Sequence, residues 1–126
     1  MKLRLRGNSI RLRLTRSEVE RLAASGEVRE SIDLGEAIGF IYEIRASDIA
    51  ADLAATFADA CLCVQISSEK ANELANSDLI SVEAEREIGG GRLVRIVVEK
   101  DFACLKERAN GDDADTFPNP FYENKC

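Results

Sequence analysis

The chain has 126 residues, 45% of them hydrophobic and 32% charged, with a formal net charge of −6. That length suits one domain that buries a core without staples, and the composition excludes wholesale disorder. The apolar runs fall far short of the ~20 residues that a bilayer crossing needs, and Met1–Arg6 alternates charge with leucine. A soluble, cytoplasmic protein with neither a membrane span nor a signal peptide is therefore expected.

Two composition facts narrow the chemistry. There is no histidine, which excludes a Cys/His zinc site and the commonest general base. The four cysteines, Cys61, Cys63, Cys104 and Cys126, lack the C-x-x-C spacing of a zinc knuckle or redox pair and are expected as structural thiols. Charge is also uneven along the chain. Residues 1–29 hold eight basic and three acidic residues, +5, and the remainder holds nine and twenty, −11.

Lys2–Arg6 alternates strictly, with Leu3 and Leu5 on one face and Lys2, Arg4 and Arg6 on the other. Ile10, Leu12 and Leu14 alternate with Arg11 and Arg13 in the same way. Gly7-Asn8 between them tolerates positive φ, so the spacing predicts a two-residue hairpin of type I′ or II′. That turn sets Leu5 opposite Ile10, Leu3 opposite Leu12, Arg4 opposite Arg11 and Lys2 opposite Arg13. Like charges facing each other are destabilising. The face needs carboxylates from another strand or a bound anion.

Thr15-Arg16-Ser17-Glu18 fits a capping box, Val19, Leu22 and Ala23 form a narrow apolar stripe, and Gly26 supplies the left-handed stop. This helix of about ten residues is too short to persist alone and must pack on a sheet. Val28–Leu34 and Gly39–Ala46 read as two strands joined through Gly35-Glu36-Ala37.

The same order then recurs. A shift of 52 carries Leu5 to Phe57, Leu12 to Val64, Leu14 to Ile66, Thr15 to Ser67, Leu22 to Leu74 and Val28 to Ile80. Strands at Leu53–Ala58 and Cys61–Ile66, a helix capped by Ser67 with stripe Ala71, Leu74 and Ala75, and strands at Leu79–Glu87 and Arg92–Glu99 follow. The chain reads as one α+β domain, residues 1–126, of two pseudo-symmetric β-β-α-β-β halves, 1–46 and 53–99. Neither half closes a core alone, so the expectation is a shared core under an antiparallel sheet or barrel of about eight strands with two short helices.

Residues 100–126 have no counterpart in the first half. Their acidic run Asp112-Asp113-Ala114-Asp115 and the stiff Phe117-Pro118-Asn119-Pro120 exclude a central strand. They read as an extended C-terminal arm for interactions, with Asp101, Phe102, Cys104, Asp113, Asp115, Phe117, Pro118 and Pro120 as its candidate contact residues.

The opening Met1-Lys2-Leu3-Arg4-Leu5-Arg6-Gly7-Asn8-Ser9-Ile10-Arg11-Leu12-Arg13-Leu14 and the later Glu99-Lys100-Asp101-Phe102-Ala103-Cys104-Leu105 with its acidic, FPNP-containing tail carry a resemblance. Together they resemble a family of small bacterial proteins classed only as a domain of unknown function. The resemblance implies a bacterial, single-domain, cytosolic protein. It carries over no activity and no site.

The candidate ligand site is the basic hairpin face, Lys2, Arg4, Arg6, Arg11 and Arg13, since guanidinium forks match oxyanions. Nucleic acid is not the expected partner, because the chain is acidic and no aromatics interleave with the arginines. Glu83, Glu85, Glu87 and Glu99 alternate on later strands and can pair with those arginines. Opposed to them across a barrel, they would instead resemble the interior of triphosphate-processing tunnel enzymes. The expected function is a non-catalytic binding or accessory module for a protein or small anionic ligand, with no cofactor and no dedicated metal site. The alternative is a phosphate- or nucleotide-handling enzyme or sensor that uses the arginine and glutamate faces.

Overall fold

The computed structural model describes residues 1–102, with Ile38 through its backbone alone. Eight strands and two helices follow in the order β1 (Lys2–Arg6), β2 (Ser9–Leu14), α1 (Arg16–Ser25), β3 (Glu27–Gly35), β4 (Ile38–Ser47), β5 (Leu53–Ala58), β6 (Cys61–Ser67), α2 (Ser68–Asn76), β7 (Ser81–Gly89) and β8 (Arg92–Lys100). The order β-β-α-β-β thus occurs twice. Lys100, expected to open the C-terminal arm, instead closes β8.

Local chemistry explains the elements. The β1–β2 register is Lys2↔Arg13, Leu3↔Leu12, Arg4↔Arg11 and Leu5↔Ile10, as the Gly7-Asn8 turn requires. Gly7 has φ +54°, and Asn8 is not among the positive-φ residues, the pattern of a type II′ turn. At the β5–β6 turn both Asp59 (φ +51°) and Ala60 (φ +57°) are left-handed, the type I′ pattern. The Thr15–Glu18 capping box closes α1, with Thr15 N donating to Glu18 Oε1 at 2.9 Å, and Gly26 ends the helix at φ +83°. Ser67 caps α2 through Lys70 N at 3.2 Å, and Lys at this position gives no reciprocal bond.

The strands do not form one antiparallel sheet or barrel. They form two four-stranded sheets, sheet I in the order β1-β2-β8-β7 and sheet II in the order β3-β4-β6-β5. Each hairpin of the first half sits beside one from the second half. The two junctions, β2–β8 and β4–β6, are parallel rather than antiparallel. The reason lies in the connections. Both helices carry the chain from one sheet to the other, and within sheet II the chain passes from β4 to the far edge strand β5 before β6 turns back beside β4, so β6 runs in the direction of β4.

The periodic offset also changes along the chain. The hairpin registers of β1–β2 and β5–β6 are related by 52, but Glu27↔Arg45 in β3–β4 corresponds to Ser81↔Glu99 in β7–β8, an offset of 54. Val28 therefore corresponds to the buried Val82, while Ile80, its expected counterpart, is 58% exposed just before β7. Where Gly26 stops α1 and β3 starts at once, α2 is followed by Ser77-Asp78-Leu79-Ile80 before β7.

Both sheets turn their apolar faces to one core containing Leu12, Leu14, Ile96 and Val98 from sheet I and Val28, Ile44, Val64 and Ile66 from sheet II. Leu22 of α1 and Leu74 of α2 are fully buried in it, and the helices pack on each other. At roughly 1.5–3 kcal/mol for each large apolar side chain buried, this shared core is what makes two incomplete halves fold together. No helix among the described residues is long and apolar enough to cross a membrane.

Candidate functional site

Strand alternation decides which side chains leave the core. On sheet I, Leu12, Leu14, Ile96 and Val98 point inward, so Lys2, Arg4 and Arg6 of β1, Arg11 and Arg13 of β2, Arg95 and Glu99 of β8, and Glu83 and Glu85 of β7 share the outer face. The parallel register lines these up in rows across the sheet: Lys2, Arg13, Glu99, then Arg4, Arg11, Val97, Glu83, then Arg6, Ser9, Arg95, Glu85. The face is therefore graded, cationic along β1 and β2 and anionic along β7. Arginines and glutamates lie side by side on one open surface, not opposed across a barrel.

Carboxylates neutralise one end of the cationic strip. Glu99 accepts Arg13 Nε at 2.6 Å and lies 3.7 Å from Arg11 Nη1, and Lys2 Nζ reaches Asp101 at 3.1 Å. Arg95 pairs with Glu83 on β7. Toward the β1–β2 turn, Arg4, Arg6, Gly7, Ser9, Arg11 and Arg95 line a depression of about 420 Å³. A smaller one of about 170 Å³ lies between Lys2, Arg4, Arg11 and Arg13. All five cations read from the sequence thus border these two depressions.

Arg95 lies outside the candidate set read from the sequence. Its phase on β8 puts it on the outer face with Glu99. The parallel pairing Ser9↔Arg95, held by Arg95 N donating to Asn8 O at 3.0 Å and Asn8 Nδ2 to Leu93 O at 2.6 Å, places it beside the N-terminal arginines. Its outward phase on β8 was visible. Its neighbour was not.

The outer face of sheet II is built differently. Glu43 of β4, 6% exposed, is the buried charged residue among those described. It accepts the Cys61 thiol at 3.4 Å and lies 3.4 Å from Arg45, which also pairs with Glu27 at 2.9 Å. Burial pushes the Glu43 carboxyl up, but hydrogen bonding with Glu27, then the Cys61 hydrogen bond and the charges of Arg45 and Arg29, more than offset it, leaving it below the usual glutamate range. Burial raises the Cys61 and Cys63 thiols, and the Glu43 charge raises them further. Thiols held protonated in this way are poor nucleophiles and poor soft-metal ligands. Among the described residues, no group of three or more Cys, Asp or Glu side chains is placed to hold a metal ion.

Of the interaction-arm residues, Asp101 and Phe102 are described. They line a depression of about 470 Å³ with Leu14, Val19, Leu74 and Lys100, and the Asp101 amide donates to Leu14 O at 2.8 Å. Cys104, Asp113, Asp115, Phe117, Pro118 and Pro120 lie outside the described residues.

These features define a small α+β protein of two four-stranded sheets and two helices, with one outer face strongly cationic at its N-terminal hairpin. The chain belongs to the Family of unknown function (DUF7009), which it matches over residues 1–121. No curated protein and no solved structure matches it.

Proposed function

We propose that this protein is a non-catalytic binding module whose outer sheet I face takes an anionic partner, either a small polyanion or an acidic protein segment. The observation that carries this reading is the depression on the outer face of sheet I bordered by Arg4, Arg6, Arg11 and Arg95. Clustered guanidinium groups raise the local positive potential, and arginine forks present the geometry an oxyanion needs. The site is open and shallow, and it suits a group with several negative oxygens better than a single enclosed phosphate.

The reading takes residues 1–46 and 53–99 as two copies of one unit within a single bacterial, cytosolic domain. The two-copy reading is supported by the recurring element order, the offset of 52 between the first hairpins of the two halves and the shared core. The tunnel-enzyme alternative loses its basis, because it needs arginines and carboxylates facing each other across an enclosed interior. Here both line the same exterior face.

The test is thermal unfolding with tripolyphosphate, ATP and an acidic peptide at low ionic strength. A ligand that binds only the folded state at ~100 times its Kd stabilises by about 2.7 kcal/mol. At least one polyanion should raise the melting temperature, and Arg11→Met and Arg95→Met should each abolish most of that rise. The absence of any shift with all three ligands would overturn the proposal.

A further inference from the structure

The last described residues run out over a groove. β8 ends at Lys100 beside Leu14, the last residue of β2, and the Asp101 amide donates to Leu14 O at 2.8 Å, one step past the parallel ladder. There the two neighbours part, because β2 goes no further and Thr15 caps α1. The start of α1 and the end of α2 meet at this point. Arg16 and Val19 of α1 and Leu74 and Ala75 of α2 line the depression of about 470 Å³, together with Leu14 and Phe102. Two charges on its rim are already engaged. Lys100 Nζ donates to Ser77 O, just past α2, at 3.1 Å, and Asp101 holds Lys2 at 3.1 Å. Phe102 borders the groove and is 64% exposed.

We infer that this groove is the docking site of the chain's own next residues, Ala103-Cys104-Leu105, which clasp the start of α1 to the end of α2 and so join the two halves of the chain at their helices. The point of exit favours this occupant, since Phe102 lines the groove and Ala103 is the next residue. Composition favours it as well. The stretch is uncharged and is bracketed by Asp101 on one side and Lys106-Glu107-Arg108 on the other. The groove offers it the apolar side chains of Val19, Leu74 and Ala75. Its rim carries both signs, Arg16 and Lys100 against Glu20 and Asp101, so it exerts no net pull on a charged ligand. Tethering decides between this segment and a free peptide of the same chemistry. A segment held within three residues of its site binds intramolecularly, at an effective concentration that a separate partner must exceed. The inference is independent of the anion-binding reading, which concerns the outer face of sheet I.

The test uses the full chain and its own thiols. Cys104 lies inside the inferred clasp, and Cys126 lies beyond it and serves as the reference. Both are labelled with iodoacetamide under native conditions, their peptides are quantified by mass spectrometry, and each rate is divided by its value in denaturant. Cys104 should be labelled at least about tenfold more slowly than Cys126, as befits a segment that reacts only when it opens locally. Leu105→Asp, within the clasp, and Ala75→Arg, which fills the groove from α2, should each bring Cys104 back to within about twofold of Cys126. Labelling of Cys63 in β6 should not change. If it does change in Ala75→Arg, the helix has been disturbed and Leu105→Asp decides alone. Equal normalised rates for Cys104 and Cys126 in the parent chain would overturn the inference. So would slow labelling of Cys104 that Leu105→Asp does not relieve, since the segment would then be held elsewhere. Slow labelling that appears only as protein concentration rises would overturn it too, because a second copy would then supply the occupant. Both variants should keep the parent's melting-temperature response to tripolyphosphate, so the clasp and the anion site stand or fall separately.

Discussion

The two sheets carry one strand pattern but finish their outer faces in opposite ways, and one matched pair of residues shows how. Val97 lies beside Arg11 in the parallel junction of sheet I, and Glu43 lies beside Cys63 in that of sheet II. Both are buried, at 2% and 6% exposure. In sheet I this central position is apolar and charges surround it, Arg11 and Arg13 on β2 and Arg95 and Glu99 on β8, with cations along β1 and carboxylates along β7. In sheet II the charge sits at the centre, held by Arg45 and the Cys61 thiol. The lesson is that the inner faces obey one shared core, while the outer faces were free to diverge.

The comparison predicts first that the inner faces are equivalent. Leu22→Ala and Leu74→Ala each empty a fully buried site and should destabilise by about 3 kcal/mol, within the ~2–5 kcal/mol range for such cavities. Chemical denaturation should give similar losses for the two. A loss at Leu74 much below that at Leu22 would break the equivalence of the halves.

The helix caps sharpen the comparison next. Thr15→Ala removes both the hydroxyl cap and the setting for Glu18's return bond and should cost about 1–2 kcal/mol, whereas Ser67→Ala loses a single bond and should cost about 0.5–1 kcal/mol.

Glu43→Val would make sheet II resemble sheet I at its centre. It should cost about 1 kcal/mol near neutral pH, because the exposed Arg45 can be rehydrated and only Cys61 loses a buried partner. The sign of the pH effect follows from the lowered Glu43 carboxyl. Its contribution is present above the unfolded glutamate pKa of ~4.3 and is lost as pH falls through the folded value. Stability curves against pH should therefore flatten on the acid side in the variant. Cys61 should also react faster with a thiol reagent once the Glu43 charge is gone, since that charge helps to raise its pKa.

The smallest expected effect concerns the turns. Ala60 stands at φ +57° where Gly91, its counterpart in position at the β7–β8 turn, has φ +71°. Glycine relieves the left-handed strain, so Ala60→Gly should stabilise by about 0.5–1 kcal/mol despite the added freedom of the unfolded chain. The test is an upward shift in melting temperature.

Much of this molecule was legible residue by residue. Gly7-Asn8 set the β1–β2 register, Thr15 with Glu18 and Gly26 bounded α1, and alternation placed five cations together on one face. The offset of 52 held through both hairpins and helices, then slipped after α2 because Ser77–Ile80 delay the next strand. The candidate site was half visible. Its cations were apparent, but Arg95 joined them only through a pairing with Ser9, more than eighty residues away in sequence.

What the sequence by itself determined is everything governed by neighbours within a turn or two: alternation, caps, tight turns and the hairpin registers they impose. Which hairpin lies beside which, the parallel junctions β2–β8 and β4–β6, the split into two sheets and the burial of Glu43 were decided only by tertiary structure. The physical reason is that an alternating strand carries the same apolar stripe whichever neighbour it takes. Its partner is chosen where two incomplete halves bury the most apolar surface together, and no local pattern records that choice.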